Sequence, residues 1–100
     1  MKVRLLTSAI EEIADAALWF DSQLGAEFWE SVDFALTQIE ANPEGLARCE
    51  FATAETDIRF IVIRRFNYVV HFLVEKDEVQ ILSVAHSARR PGYWLRRAKG

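Results

Sequence analysis

The segment VAHSARRPGYWLRR, residues Val84–Arg97, concentrates side chains that bind anions and move protons. It contains four arginines, one histidine, one tyrosine and one tryptophan. Guanidinium groups bind phosphates and carboxylates through paired hydrogen bonds, and histidine exchanges a proton near neutral pH. Three kinds of site fit such a cluster: a nucleic-acid surface, a catalytic centre, or a docking surface for another protein.

The rest of the chain offers little for metal, cofactor or nucleotide chemistry. Cys49 is the single cysteine, which excludes an internal disulfide and a cysteine-based metal site. His71 lies inside the apolar run VVHFLV and is interpreted as a structural strand residue. No third ligand at a suitable spacing joins it to His86, and the four glycines are scattered rather than gathered in a phosphate-binding loop. We therefore expect neither a metal nor a cofactor.

Charge is divided unequally along the chain. Residues 1–57 carry three basic and twelve acidic residues, a net charge of −9, whereas residues 58–100 carry nine basic and three acidic residues, a net charge of +6. The overall net charge of −3 lacks the positive excess of a strong phosphate binder, so we expect no strong direct nucleic-acid binding. No run approaches the roughly 20 apolar residues of a membrane span, and a cytoplasmic location is expected.

The N-terminal half predicts a short strand, Lys2–Leu6, followed by two amphipathic helices that form an antiparallel hairpin. Ser8 and Glu11 have the spacing of a capping box at the start of the first helix, and Gly25 is expected to end it. Asn42–Pro43 is expected to end the second helix. The two predicted apolar stripes are Ile10, Ile13, Ala17, Phe20 and Leu24, then Phe28, Val32, Ala35, Leu36 and Ile39.

The C-terminal half predicts a mostly antiparallel sheet. Ala47–Thr53 is an irregular strand candidate, and three firmer strands rich in β-branched and aromatic residues follow at Asp57–Arg65, Asn67–Glu75 and Glu78–His86. Pro91 favours a short terminal helix through Trp94. The expected architecture is a single α+β domain over residues 1–100, with the helices on one face of a twisted sheet and the other face partly open. The helix acids Glu11, Glu12 and Asp15 are expected in solvent.

The chain resembles a known family at its C-terminal end. The stretch HSARRPGYW, residues 86–94, is similar to the H-x-x-R-x-P-x-x-W ending of the ParE branch of the RelE/ParE toxin superfamily. The similarity extends over the first strand, the helical hairpin closing at IEANP, and the strands IRFIVIRRFNYVVHF and ILSVAH. It implies the toxin of a bacterial type II toxin–antitoxin pair, with a role in plasmid stabilisation, held inactive in a hetero-oligomeric complex by a ParD-like or related antitoxin.

The resemblance leaves the target open between DNA gyrase, implied by the ParE branch, and messenger RNA in the ribosomal A site, implied by the RelE branch. Metal-free RNA cleavage needs proton-transfer groups and cations around the developing phosphorane charge. Tyr93 matches the RelE tyrosine position, but Ser87 and Val69 stand where that branch has arginines. Gyrase inhibition is therefore favoured. The alternative ribonuclease would use Arg64, Arg65, His86, Arg89 and Tyr93, and a non-toxic binding-only member is the third interpretation.

Two docking surfaces are predicted, because arginine and aromatic side chains are enriched at interface anchors. The residues expected to contact the target are His86, Arg89, Arg90, Tyr93, Trp94, Arg96 and Arg97. Those expected to contact the antitoxin are Trp19, Trp29, Arg59 and Arg64. Two alternatives stay open: the tryptophans extend the core or clamp the hairpin, and the last arginines stabilise a helix C-terminus and keep it soluble.

Overall fold

The computed structural model describes residues 1–99 and contains one five-stranded sheet with a helical hairpin on one face. The strand order is β1-β5-β4-β3-β2; β1 runs parallel to β5 and every other neighbouring pair is antiparallel. The predicted α+β architecture is confirmed. The elements are β1 (Lys2–Leu5), α1 (Thr7–Leu18), α2 (Ser22–Ala41), a 3-10 turn (Pro43–Gly45), β2 (Ala47–Arg48), β3 (Asp57–Ile63), β4 (Tyr68–Val74), β5 (Glu78–His86) and a C-terminal 3-10 helix (Leu95–Lys99).

The main core lies between the helical hairpin and the sheet. Its aromatic centre is Phe28, whose ring lies 5.0–5.5 Å from those of Phe20, Phe66 and Tyr68. Aromatic pairs at these separations add stability beyond the area that they bury. The buried residues of this core are Ala9, Ile13, Ala16, Phe28, Val32, Ala35, Ile39, Ile63, Val70, Phe72, Val79, Ile81 and Val84.

The predicted boundary between the helices is wrong. α1 ends at Leu18, and α2 begins after Asp21, whose carboxylate accepts a hydrogen bond of 2.8 Å from the Leu24 amide. An aspartate N-cap satisfies one of the free amides at a helix start. Gly25 lies inside α2, where a Cβ atom would stand 3.2 Å from the carbonyl oxygen of Ala17. Glycine at this position therefore allows the two helices to approach closely.

Several other sequence expectations require correction. The Ser8–Glu11 capping box does not form, because Leu6 is the N-cap of α1 and makes no side-chain bond. The first stripe is displaced by one residue at two points, where Ala9 and Ala16 are the buried residues. The predicted stripe members Ile10 and Leu24 are exposed. The candidate strand Ala47–Thr53 forms a ladder at only its first two residues. Hydrophobic periodicity does not report the contacts that fix the ends of a helix or strand, such as the Asp21 cap of α2.

A second, smaller core lies on the opposite face of the sheet. It consists of Cys49, Ile58, Leu73, Leu82 and Trp94, with Trp94 only 2% exposed. Trp94 is the last residue of a turn, Pro91–Trp94, rather than part of the predicted helix, and the 3-10 helix begins at the next residue, Leu95. Gly92 has a φ of 78°, and a Cβ atom there would lie 3.3 Å from the Phe51 ring. The C-terminal segment is therefore packed against the sheet and forms a wall on its otherwise open face.

Candidate functional site

Glu12 on α1 holds the C-terminal segment in place. Its carboxylate accepts hydrogen bonds from the Val84 amide at 3.0 Å, from Arg97 Nη1 at 3.0 Å and from the Tyr93 hydroxyl. The side chain is only 11% exposed, so the expectation that this acid faces solvent is wrong. Hydrogen bonds to a charged and largely buried acceptor are among the stronger polar contacts in proteins. We call the three side chains of Glu12, Tyr93 and Arg97 the Glu12 clasp.

The Glu12 clasp satisfies backbone groups that β1 leaves without a strand partner. β1 ends at Leu5, and the last backbone bond along this edge joins the Leu6 amide to the Ile81 carbonyl at 3.3 Å. Beyond that point Arg97 Nη1 donates to the Leu82 carbonyl at 2.9 Å, and Glu12 accepts from the Val84 amide. Unpaired buried backbone groups cost free energy comparable to a lost hydrogen bond. The ion pair therefore substitutes for a continuation of β1 along β5.

Tyr93 is enclosed by charged groups. The Arg89 guanidinium carbon lies 3.8 Å from the centre of the Tyr93 ring, and that of Arg97 lies 5.1 Å away. Arg89 Nη1 also lies 3.6 Å from Glu12 Oε2. Burial, followed by the hydrogen bond to Glu12, raises the pKa of Tyr93 to about 12. The Tyr93 hydroxyl therefore keeps its proton at neutral pH and is hydrogen-bonded to Glu12. A protonated phenol is a poor general base.

A cavity of about 450 Å³ lies between the C-terminal segment and the Cys49–Phe51 turn. Its floor is aromatic: the His71 ring stacks on Trp94 at 4.3 Å, and the Phe60 ring lies 6.0 Å from His71. Burial lowers the pKa of His71 to about 4, so the imidazole is neutral at pH 7. We call this space the tail cavity. Its polar rim is formed by Arg48, Glu50, His86, Ser87, Arg89 and Arg90.

Five of the seven residues predicted to contact a target line the tail cavity. These are His86, Arg89, Arg90, Tyr93 and Trp94. Arg97 is committed to the Glu12 clasp, and Arg96 is exposed outside the cavity lining. Because Trp94 is buried, it serves as floor rather than as a freely projecting anchor. His86 Nδ1 accepts a hydrogen bond of 3.1 Å from the Ala88 amide and orients the turn that leads to Arg89.

The five residues of the alternative ribonuclease site are not brought together. His86, Arg89 and Tyr93 line the tail cavity, but Arg64 and Arg65 line a separate groove between α2 and the end of β3. Arg65 Nη2 donates to Glu27 there at 2.9 Å. The cations expected to surround a developing phosphorane are therefore divided between two surfaces.

The candidate antitoxin residues fall into three environments. Trp19 is 87% exposed at the end of α1, and Trp29 is 46% exposed and lines a groove together with the small residues Ala14, Ala17, Gly25 and Ala26. Arg59 is structural, because its guanidinium bonds Asp57 and the carbonyls of Glu44 and Leu46. Arg64 is exposed in the α2–β3 groove beside Phe34 and Val62, which sequence reasoning missed and which are 65% and 44% exposed.

Residues 1–99 contain no group of three or more histidine, cysteine or acidic side chains placed to hold a metal ion. Within the same residues, none of the helices combines the length and the apolarity that crossing a bilayer requires.

Comparisons with known proteins point to one family. A family model described as the ParE toxin of the type II toxin–antitoxin system parDE matches residues 3–91, which is most of the chain. The chain belongs to the ParE toxin family. A search of curated proteins found no match. The resemblance seen at the C-terminal motif is confirmed, and this ParE-family chain is the toxin component of a type II system.

A solved structure shares the fold of this ParE-family chain. It is titled "Chromosomal ParDE TA system from P. aeruginosa", and the TM-score is 0.62 at 16% sequence identity, covering 86% of this chain and 95% of that chain. At this identity the similarity establishes the fold. The family match ends at Pro91, so Tyr93, Trp94 and Arg97 lie beyond the matched residues.

The Glu12 clasp gives a direct test of stability. Glu12→Ala should lower the free energy of unfolding by about 3 kcal/mol, because it leaves Arg97, the Tyr93 hydroxyl and the Val84 amide without their acceptor. Urea denaturation followed by circular dichroism measures the change. The neighbouring and exposed Glu11→Ala is the matched control, expected within about 0.5 kcal/mol of wild type. Equal stability of the two variants would contradict the role assigned to the clasp.

His71 predicts a pH dependence with a defined sign. The folded state disfavours the imidazolium, so the unfolded chain binds the proton more readily between pH 6.5 and about 4. This contribution to stability is complete above pH 6.5 and is lost as pH falls to about 4. The loss should reach about 2 kcal/mol, since solvent screens part of the shift.

His71→Phe is the matched control for this titration, because it keeps a ring against Trp94 and removes the ionisable group. Between pH 7 and pH 4, the unfolding free energy of wild type should fall by about 2 kcal/mol relative to that of His71→Phe. Parallel curves would show that His71 does not titrate as inferred.

Proposed function

We propose that this toxin inhibits DNA gyrase by direct protein contact through the rim of the tail cavity. The supporting observation is the arrangement of Arg89 and Arg90 beside a recessed aromatic floor, held on the sheet by the Glu12 clasp. Arginine around a desolvated aromatic pocket is typical of interface hot spots. Arg96 is also exposed and lies beside the clasp residue Arg97 in the C-terminal 3-10 helix.

The RelE-type ribonuclease is the less favoured function. Its support is the co-location of His86, Arg89 and Tyr93. Against it, Tyr93 has a pKa of about 12 and its hydroxyl donates a hydrogen bond to Glu12, while Arg64 and Arg65 line another groove. Removal of one preorganised group that stabilises transition-state charge typically costs about 3–4 kcal/mol, so a dispersed set is a serious defect for catalysis. A binding-only member without toxicity would use the same surfaces and leave growth unaffected.

We also propose that a ParD-like antitoxin neutralises the toxin in a hetero-oligomeric complex. The hairpin groove, defined by Ala14, Ala17, Gly25, Ala26 and Trp29, suits the apolar face of an amphipathic helix. Exposed large apolar side chains on a small domain commonly mark such an interface.

A second antitoxin contact is proposed along the free edge of β3. β2 pairs only with Arg59 and Phe60, which leaves the Ile61–Ile63 edge without a strand neighbour among residues 1–99. Phe34 and Val62 are exposed beside this edge, and Arg64 offers a positive charge at its end. An extended antitoxin segment with an acidic residue fits these features, because main-chain bonds supply affinity at a free edge and side-chain pockets supply specificity. We also propose that the toxin contacts both gyrase and the antitoxin in the cytoplasm. The toxin and the antitoxin would together form a plasmid-stabilising pair.

Arg89 tests the gyrase proposal. Arg89→Ala should raise the toxin concentration needed for half-inhibition of gyrase supercoiling at least tenfold, which corresponds to a loss of about 1.4 kcal/mol at an interface anchor. Arg4→Ala is the control, since Arg4 is a half-exposed arginine paired with Glu78 at the opposite edge of β5. Melting curves should show that both variants remain folded, because a loss of inhibition assigns a target contact only in a folded protein.

The cellular readout separates the three candidate functions. Induction of the wild-type toxin should produce DNA breaks and an SOS response, and primer extension on translated messages should show no A-site cuts. A-site cuts together with normal supercoiling would replace gyrase inhibition with the ribonuclease, and the absence of any growth defect would favour the binding-only member.

Trp29 tests the antitoxin proposal. Trp29→Ala should weaken binding of the antitoxin from the neighbouring reading frame by at least tenfold in titration calorimetry, because a half-exposed tryptophan that lines a groove of small residues is a typical anchor. Gln23→Ala is the control: it is also exposed, near the start of α2, and is not among the residues lining the groove. Equal affinities for the two variants would place the antitoxin elsewhere.

A further inference from the structure

The proposed function does not specify which chemical group the tail cavity binds. We infer that it receives one aromatic side chain that adjoins a carboxylate on the surface of the toxin's protein target. The inference rests on the proposed function for the existence of a protein target, and it adds the chemistry of the recognised group. Three properties of the cavity carry it: its size, its aromatic floor and the charge of its rim.

Size and floor together select a ring. About 450 Å³ falls in the range of cavities that bind small organic groups. The floor is built from rings, with His71 stacked on Trp94 and Phe51 meeting Trp94 edge to face at 6.1 Å. Because His71 is neutral at physiological pH, this floor presents aromatic surface rather than charge. Aromatic rings pair with such a floor through stacked or edge-to-face contacts that an aliphatic side chain does not make.

The rim adds a requirement for negative charge. Arg48 has Asp57 3.3 Å from its Nε, and Arg89 has Glu12 3.6 Å from its Nη1. Arg90 has no acidic partner within 4 Å among residues 1–99 and is exposed beside the cavity. Glu50 opposes these charges but is a single acid against three arginines. A ring placed under Arg89 and Arg90 gains cation–π attraction, and an adjacent carboxylate gains paired hydrogen bonds from a guanidinium.

The direct test uses N-acetyl-L-tryptophan as a probe, with the full-length toxin in solution. Saturable shifts of the Ala85 and Gly92 amide signals should report binding in NMR titrations. N-acetyl-L-tryptophanamide, which keeps the ring and removes the carboxylate, should bind at least fivefold more weakly. Absence of saturable binding, or equal binding of the two probes, would overturn the inference.

Two independent variants locate the probe. Ala85→Phe places a ring inside the cavity lining, and Arg90→Ala removes the unpaired rim charge; each should weaken binding of the acid at least fivefold. Arg4→Ala, on the opposite edge of β5, should bind it as wild type does. Melting curves establish that the variants are folded, and if Ala85→Phe is not folded, Arg90→Ala carries the decision by itself. Unchanged binding by a folded variant would overturn the assigned position.

Two further measurements are needed. One distinguishes a protein side chain from a nucleotide as the ligand, and the other distinguishes this inference from the gyrase proposal. Tighter binding of adenosine 5′-monophosphate than of the acid would identify a nucleotide site and overturn recognition of a protein side chain. Ala85→Phe should also lose gyrase inhibition at least fivefold; retained inhibition would overturn this inference and leave the gyrase proposal standing. A wild-type toxin that binds the acid but does not inhibit gyrase overturns the proposed function, while the recognised chemistry stands for a different protein target.

Discussion

The largely buried ion pair between Glu12 and Arg97 connects the three main parts of this molecule. Glu12 comes from α1 and Arg97 from the end of the chain, and between them they satisfy the Val84 amide and the Leu82 carbonyl of β5. A buried charge without a partner is strongly unfavourable, so each of the two residues requires the other. The helical hairpin, the sheet and the C-terminal segment are thereby fixed at one point. Together with the packing of Trp94 in the second core, that point holds Arg89 and Tyr93 beside the sheet.

The sheet separates two recognition surfaces with different physical character. One face lies under the helices, which carry the exposed Trp19 and the groove that Trp29 lines. The other face carries the tail cavity with its aromatic floor and positive rim. A partner on the helices and a partner on the cavity would therefore contact opposite sides of the sheet. A partner that also reaches the free edge of β3 would pass from one side to the other.

Sequence patterns predicted the architecture well, because strands β3, β4 and β5 are strongly β-branched and the two helices carry clear apolar stripes. They failed where a tertiary contact decides. Gly25 has the features of a helix terminator, yet its value is the close approach to Ala17, which no local pattern shows. Glu12 is indistinguishable by spacing from Glu11 and Asp15. Its burial follows from Arg97, 85 positions away, a partner that only the folded topology supplies.

The physical roles of the C-terminal motif residues set a condition on how their mutants are interpreted. His86 accepts a hydrogen bond from the Ala88 amide and orients the turn. Arg89 covers the Tyr93 ring, and Trp94 is buried in the second core. Gly92, between Pro91 and Tyr93, adopts the left-handed conformation that lets the chain pass the Phe51 ring. Each of these residues therefore has a structural role in the tail cavity that does not depend on a target. Loss of toxicity on substitution therefore assigns a target contact only to positions whose replacement leaves the fold intact, and Arg90, exposed and without an acidic partner within residues 1–99, best satisfies that condition.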